Sequence, residues 1–299
     1  MFVVKFWCGL GNQMFEYALL KQLEQHYPAN RVRGFILKPP SKKYDLTNYC
    51  LGEAFNIQIK ECTWRKVTQL SDFYPENAPC HTILRPLSKL INVIFGHKNT
   101  YIYQDDFTCF YPEIYKLNPL NSYYLEGAWL NYRYLIGIED ILMKDFKFRD
   151  GMSEKNLEYM NKISDSNSVS IHVRRGDFVK YGFALTTEDY YFKAIQIIKE
   201  KIDDPVFYIF SNDHDYCRHL FEGKVKYEIV EGNDGRNSFR DMQLMSNCKH
   251  NIIANSTFSF WGAYLNKNPD KIVIAPNIGV GVTDHNIPFA CPEWIKIDV

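Results

Sequence analysis

The chain has 299 residues, 35 basic and 35 acidic side chains, a formal net charge of zero and 46% hydrophobic residues. That length suits one large domain or two of about 150 residues, enough for a sizeable core. The charge balance lacks the basic footprint of a nucleic-acid binder. No stretch approaches the ~20 apolar residues of a membrane span. The opening Met-Phe-Val-Val-Lys-Phe-Trp lacks the basic start, long apolar run and cleavage site of a signal peptide. The eight cysteines are scattered, with no Cys-x-x-Cys pair and no zinc spacing, as fits a reducing cytosol. With 21 Tyr and 21 Phe, either a thick aromatic core or stacking platforms for sugars or bases would fit.

In chain order, Phe2 to Trp7 reads as a buried strand. The loop Cys8-Gly-Leu-Gly-Asn-Gln13 follows, then a helical pattern to about His26 and a strand over Arg31 to Leu37. From Pro39 to about Asn121 the chain is irregular and rich in Pro, Tyr and Asn. Tyr123 to Glu126 reads as a strand and Leu135 to Asp145 as a helix. The polar run Ser164-Asp-Ser-Asn-Ser168 reads as a linker, dividing the chain into domains 1–165 and 166–299.

Beyond it the pattern is regular. Strands are expected at 169–173, 206–210, 227–230, 251–254 and 271–275. Thr186-Thr-Glu-Asp189 carries a capping-box signal. The helix it opens puts Tyr191, Ala194, Ile195, Ile198 and Ile202 on one face. Further helices are expected from Ser238 to about Cys248 and from Phe258 to Leu265. Alternating strands and helices imply a parallel sheet, whose ligands bind at the carboxyl ends of the strands.

Each strand end offers a chemical reading beside a plain one. Arg174-Arg175-Gly176-Asp177 can form an anion site, because guanidinium forks match phosphate oxygens; the same arginines can pair with Asp177 and surface acids. Alternation puts His172 and Arg174 on one side. Ser211-Asn-Asp-His-Asp215 is a turn by composition, with Asp213 and Asp215 as the weaker metal-binding reading. Ser238 and Asp241 fit a helix cap, while the Asp241 carboxylate also fits the N–H edge of guanine. Ser256 and Thr257 fit N-caps or a phosphate-binding helix terminus. Phe258, Phe260 and Trp261 read as core by helical spacing. The Gly9-Leu-Gly11-Asn12-Gln13 loop has Met14 where a dinucleotide fingerprint needs its third glycine, so it can offer N–H groups to an anion but is a weak NAD signature.

Taken together, four segments resemble the α-1,2-fucosyltransferase family (glycosyltransferase family 11), bacterial type. They are Gly9-Leu-Gly-Asn-Gln-Met-Phe-Glu-Tyr17, His172-Val-Arg-Arg-Gly-Asp-Phe178, Phe210-Ser-Asn-Asp213, and the run from Asp241 through Asn255-Ser-Thr-Phe-Ser-Phe-Trp-Gly262. The resemblance implies an α/β fold of GT-B type, with two Rossmann-like domains facing across a cleft. It implies GDP-L-fucose as donor, a galactose-terminated glycan as acceptor, inversion, and no required metal or cofactor. By the resemblance, Arg174 binds the β-phosphate, His172 contacts the nucleoside side and Asp241 reads guanine. Ser256, Thr257 and the Phe258 backbone hold phosphates, and Gly11 and Asn12 lie by the donor, with Asn12 at the fucosyl–phosphate junction. Arg174, Asn12 and Asp177 are the catalytic candidates, with Asp177 or Glu16 as base unless a diphosphate oxygen or water serves. A cytoplasmic location is implied, with peripheral contact at the inner face of the membrane through Arg31, Arg33, Lys42 and Lys43. An α-1,6-like linkage and a non-catalytic glycan-binding role are the rival readings.

Overall fold

The computed structural model describes residues 1–37, 49–71, 100–182, 185–278 and 290–299; the side chains of Asp177 and Tyr181 lie outside that set. The chain forms two compact units, Met1–Lys147 and Phe148–Val299.

The first unit is built on a parallel sheet of order β2-β1-β4-β3, with β1 Phe2–Phe6, β2 Val32–Ile36, β3 Tyr101–Tyr103 and β4 Tyr123–Glu126. β1 is an unbroken buried run because it is paired on both edges and covered on its faces. Its one charge, Lys5, is matched by Glu126 on β4 at 2.6 Å. Four helices belong to this unit among the described residues: α1 Leu10–His26, α2 Cys50–Phe55, α3 Trp64–Thr68 and α4 Glu139–Asp145. The helix expected over 135–145 starts later, because Gly137 takes φ +82° and a short 3-10 turn precedes it at Tyr132–Tyr134. The region expected to be irregular thus holds α2, α3 and β3, while residues 38–48 and 72–99 lie outside the described residues. Of the expected basic patch, Arg31 donates to the carbonyls of Leu120 and Asn121 and Arg33 to that of Val32. Lys42 and Lys43 fall outside the described residues.

The second unit opens with α5 Glu154–Ser164 and carries a six-stranded parallel sheet. Its strands are β5 Asn167–Val173, β6 Pro205–Ser211, β7 Tyr227–Ile229, β8 His250–Ile252, β9 Val273–Pro276 and β10 Ile295–Ile297, in the order β10-β9-β8-β5-β6-β7. Helices α6 Gly176–Tyr181, α7 Glu188–Lys201, α8 His214–Phe221, α9 Phe239–Asn247 and α10 Thr257–Tyr264 connect them. The break between units comes before the one expected at 165/166. The Ser164–Ser168 run is a turn inside the unit: Ser166 Oγ donates to the Lys162 carbonyl at the end of α5, and Asn167 already begins β5. The buried Arg240 of α9 ties the entry segment down through the carbonyls of Arg149, Asp150 and Gly151.

β5 shows how sequence parity becomes layers. Val169, Ile171 and Val173 point into one apolar cluster with Tyr191, Ile195 and Ile198 of α7. Tyr208 and Phe210 of β6 meet Tyr159 and Ile163 of α5 and Leu244 and Met245 of α9 in another. α9 and α10 approach closely at Gly262, where a Cβ would lie 3.0 Å from Met245 Cβ. α7 is capped by Thr187, one residue later than expected, while the Thr186 hydroxyl bonds Tyr191 Oη. Among the described residues, no helix is long and apolar enough to cross a membrane.

Candidate active site

In the second unit the chain runs β5, β6, β7 outward in one direction, then returns to place β8 on the other side of β5. The strand order therefore reverses between β5 and β8, and open parallel sheets bind ligands outside the carboxyl ends at such a reversal. Ile171 and Ile252 are register partners across it. The two loops that leave there are Arg174–Arg175 from β5 and Ile253–Ser256 from β8.

His172 lies on the face of β5 opposite the apolar row formed by Val169, Ile171 and Val173, and its ring is 5.8 Å from that of Phe258. Burial, with the Arg174 charge adding to it, pushes its pKa down to about 3, so the ring is neutral at physiological pH. Its Nδ1 is buried without a hydrogen-bond partner among the described residues, and its backbone carbonyl accepts from Tyr191 Oη at 3.0 Å. Arg174 extends the same side, with its guanidinium 5.6 Å from the Phe178 ring.

Arg175 does a different job. Its Nε donates to Asp213 Oδ2 at 3.1 Å, its guanidinium stacks 3.7 Å over the Tyr216 ring, and its backbone N–H donates to Asn212 Oδ1. Ser211 Oγ donates to the Val173 carbonyl at 2.8 Å. A Cβ on Gly176 would overlap the Asn212 amide and force it to shift, so glycine here lets that amide keep its bond to the Arg175 N–H. The Ser211-Asn212-Asp213 segment is thus a bracket for the β5 loop. Asp213 also caps α8 by accepting from Tyr216 N–H, and Asp215 is exposed and pairs with Arg218. These contacts are those of the turn reading of that motif. No group of three or more His, Cys, Asp or Glu suited to a metal occurs among the described residues.

At the β8 end, Ser256 is the N-cap residue of α10, yet makes no side-chain cap bond, contrary to the plain capping expectation. The first-turn N–H groups of this helix therefore carry no side-chain cap from it, and such groups bind anions. Ser256 and Thr257 are buried, Phe258 is half-buried against His172, and Phe260 and Trp261 are core as expected.

Asp241 departs from its expected cap as well. Ser238 is in the helical region at the end of a 3-10 turn, Gly235–Asn237, and forms no capping bond. Asp241 Oδ1 instead accepts from Asn233 Nδ2 at 2.8 Å. Burial raises the carboxyl to about 7, with Asp234 adding to the rise and the Asn233 bond opposing it. Asn233 was not singled out in the sequence; the only signal was a lone Asn in a Gly-Asn-Asp-Gly run that reads as a turn.

Gly11, Asn12 and Glu16 belong to the other unit. Gly11 and Asn12 lie in the first turn of α1, and the Asn12 side chain bonds to Cys8. Glu16 is fully buried, its Oε2 accepts the Trp7 N–H at 3.1 Å, and burial holds its carboxyl well above the ordinary range. A carboxyl sealed in this way and bonded to the Trp7 N–H braces the strand end. Asp177 lies in the first turn of α6, with its side chain outside the described set.

The sequence profile of glycosyl transferase family 11 matches residues 92–297. An α-1,2-colitosyltransferase of Escherichia coli is 32% identical over 97% of this chain and 96% of its own length. The galactoside 2-α-L-fucosyltransferase Sec1 of Mus musculus is 27% identical over 57% of this chain, which spans about half (49%) of that protein. Among solved structures, the NodZ α-1,6-fucosyltransferase soaked with GDP-fucose matches with a TM-score of 0.51 and 17% identity, over 88% of this chain and 91% of that one. That likeness speaks to the fold alone, and with the two parallel sheets it makes the architecture GT-B type.

Proposed function

The chain belongs to glycosyl transferase family 11 and is a glycosyltransferase; from that membership we propose that it transfers L-fucose from GDP-β-L-fucose to the 2-hydroxyl of a terminal galactose, with inversion. The observation that carries this reading is the strand-order reversal between β5 and β8, flanked by Arg174 on one side and on the other by the start of α10, where the N-cap residue Ser256 makes no side-chain cap bond. Two anion-binding elements on adjacent parallel strands suit a diphosphate.

In the proposed reaction, the acceptor O2 forms a bond to the anomeric carbon as the bond from that carbon to the β-phosphate oxygen breaks. The electron pair leaves on GDP, and charge grows on the diphosphate. Arg174 and the N–H groups at Thr257 and Phe258 stabilise that charge, the kind of preorganised electrostatic help that lowers such barriers most. Neutral His172 supports the nucleoside side without adding a second charge to compete with Arg174. Asp241 takes the guanine N–H edge. The acceptor proton passes to Asp177 or to an oxygen of the departing diphosphate; Asp177→Asn separates the two, since only the first route loses its acceptor. The protein supplies the leaving-group charge itself in this scheme, so activity is expected to persist in EDTA. An absolute requirement for Mg²⁺ or Mn²⁺ would overturn that point.

A second donor is favoured by one observation, the 32% identity to a colitosyltransferase along almost the whole chain. Colitose is fucose without its 3-hydroxyl, so the same site could take either GDP-sugar. The deciding experiment incubates the protein with GDP-fucose and with GDP-colitose over a panel of galactosides, followed by mass spectrometry and linkage analysis by NMR. A 2-O-fucosyl galactoside is expected. Exclusive colitosyl transfer, or a 6-linked product, would replace the reading.

A further inference from the structure

Asp241 is held by a pair of amides that no motif contains. Asn156, in the first turn of α5, and Asn233, in the loop after β7, are both buried. They bond reciprocally: Asn156 Nδ2 donates to Asn233 Oδ1 at 2.8 Å, and Asn233 Nδ2 donates to Asn156 Oδ1 at 3.0 Å. The second hydrogen on Asn233 Nδ2 goes to Asp241 Oδ1 at 2.8 Å. Every donor and the acceptor oxygen of the Asn233 amide are thereby engaged.

This arrangement fixes a direction. Turning the Asn233 amide over would aim its oxygen at the Asp241 carboxylate and break both bonds to Asn156. The backbone holds Asn156 in place in turn, because its N–H donates to the Ser153 cap of α5. Asn233 occupies one lone pair on Oδ1, and a carboxylate offers about four acceptor sites. What remains on Oδ1 and Oδ2 matches two parallel N–H donors.

We propose that Asn156 and Asn233 are positioning residues that make Asp241 specific for a guanine edge, by orienting its carboxylate and keeping it available as a double acceptor. This rests on the reading that Asp241 contacts the donor base. The opposing influences on the carboxyl fit the role: burial and Asp234 favour its protonated form, and the Asn233 bond favours the charged form that can accept both N–H groups.

The test measures binding by calorimetry to the full-length protein and to Asn233→Ala and Asn156→Ala. The probes are GDP, inosine diphosphate (which keeps N1–H but lacks the 2-amino group) and inorganic pyrophosphate, each across pH 6 to 9. The expected result is a loss of about tenfold in GDP affinity for Asn233→Ala, a smaller preference for GDP over inosine diphosphate, and unchanged pyrophosphate binding. The pH below which GDP binding weakens should also move upward. A merely structural role would weaken pyrophosphate in parallel and leave the preference and the pH midpoint where they were; that result overturns the proposal. If Asn233→Ala fails to fold, Asn156→Ala, which keeps the direct Asn233 contact, is read by the same preference and midpoint. A wild-type protein that binds no GDP sinks the donor reading itself, whereas GDP binding with an unaltered preference in both variants sinks only the role of the amide pair.

Discussion

The two units each contain a place where the strand order reverses, and they treat it in opposite ways. In the first unit the reversal falls between β1 and β4, and Trp7 Nε1 bridges it by donating to the Gly127 carbonyl at 3.2 Å. The polar side chains of the loop turn inward: Gln13 spans the Cys8 carbonyl and the Cys50 N–H, and Glu16 receives the Trp7 N–H. Cys8 even holds a left-handed φ of +62° to make the turn. In the second unit the bracing of the β5 loop comes from the next strand, through Ser211, Asn212 and Asp213. The bracing contacts described above fall on Arg175, Val173 and Gly176 of that loop. A strand-end loop that braces itself has spent its polar groups on its own backbone; one braced by a neighbour can present them to a ligand.

The harshest way to break this contrast is Arg174→Ala against Arg175→Ala. If Arg174 faces the leaving diphosphate, its loss should lower kcat/KM by about 10²–10³-fold, in the range seen for deleted transition-state donors. Arg175→Ala should lower it far less while reducing Tm, because it removes the Asp213 pair and the Tyr216 stack. Steady-state kinetics and thermal melts of the two variants check this. Equal kinetic losses would mean that the bracket and the reagent are not separate.

Asp241→Asn comes next and should separate function from stability. The native carboxyl is raised to about 7, so between its unfolded value near 4 and that pH the folded chain holds more protons than the unfolded one, and stability falls as pH rises. The amide removes that penalty, so Tm at pH 7.5 should hold or rise while GDP affinity falls about tenfold or more. His172 works with the opposite sign. Its pKa is lowered to about 3, so the unfolded chain binds the extra proton and stability rises with pH from about 3 to the unfolded value near 6.5. In the wild type the two slopes oppose each other. In Asp241→Asn the opposing Asp241 slope is gone, and melts between pH 4.5 and 6.5 should show a steeper acid loss than in the wild type.

How much of this could be read from sequence depended on the distance over which each feature is decided. β4 was legible to the residue, and β5 and the apolar face of α7 nearly so, because period and composition are local. The boundary at 147/148 was not, because Arg240 holds residues 149–151 to the second unit from ninety positions away. α8 was hidden behind a turn-like Ser-Asn-Asp run whose Asp213 is in fact its cap. At the candidate site, His172, Arg174 and Asp241 could be named because they lie beside strand ends or helix starts. The division of labour between Arg174 and Arg175 was invisible, since it depends on which side of β5 receives β6. The Asn156–Asn233 pair joins residues 77 apart and carries no local signature.

A smaller effect tests the bracket itself. Asn212→Ala removes the acceptor for the Arg175 N–H and the side chain that packs on Gly176, and Gly176→Ala forces the same contact apart. Each should cost about tenfold in kcat/KM through a displaced Arg174, since small misplacements of a catalytic group are costly. The double variant should cost little more than either alone, because both act on one contact. Independent, multiplying losses would mean that Asn212 or Gly176 acts on the donor directly and that the bracket is something more.

The smallest expected effect decides the first unit. Glu16→Gln preserves shape and the acceptor for the Trp7 N–H, and it removes a carboxyl whose pKa burial raises. If Glu16 is a brace, kcat/KM should stay within about twofold, because glutamine keeps the shape and the acceptor for the Trp7 N–H. The stability change has a definite sign. The raised pKa means that the folded chain keeps a proton the unfolded chain releases above about 4.3, so the native glutamate costs more stability as pH rises, and glutamine does not. The variant should therefore match the wild type near pH 4 and melt higher near pH 8. A loss of catalysis at unchanged stability would instead return Glu16 to the role of base, and would mean that the two reversals are less different than their hydrogen bonds make them.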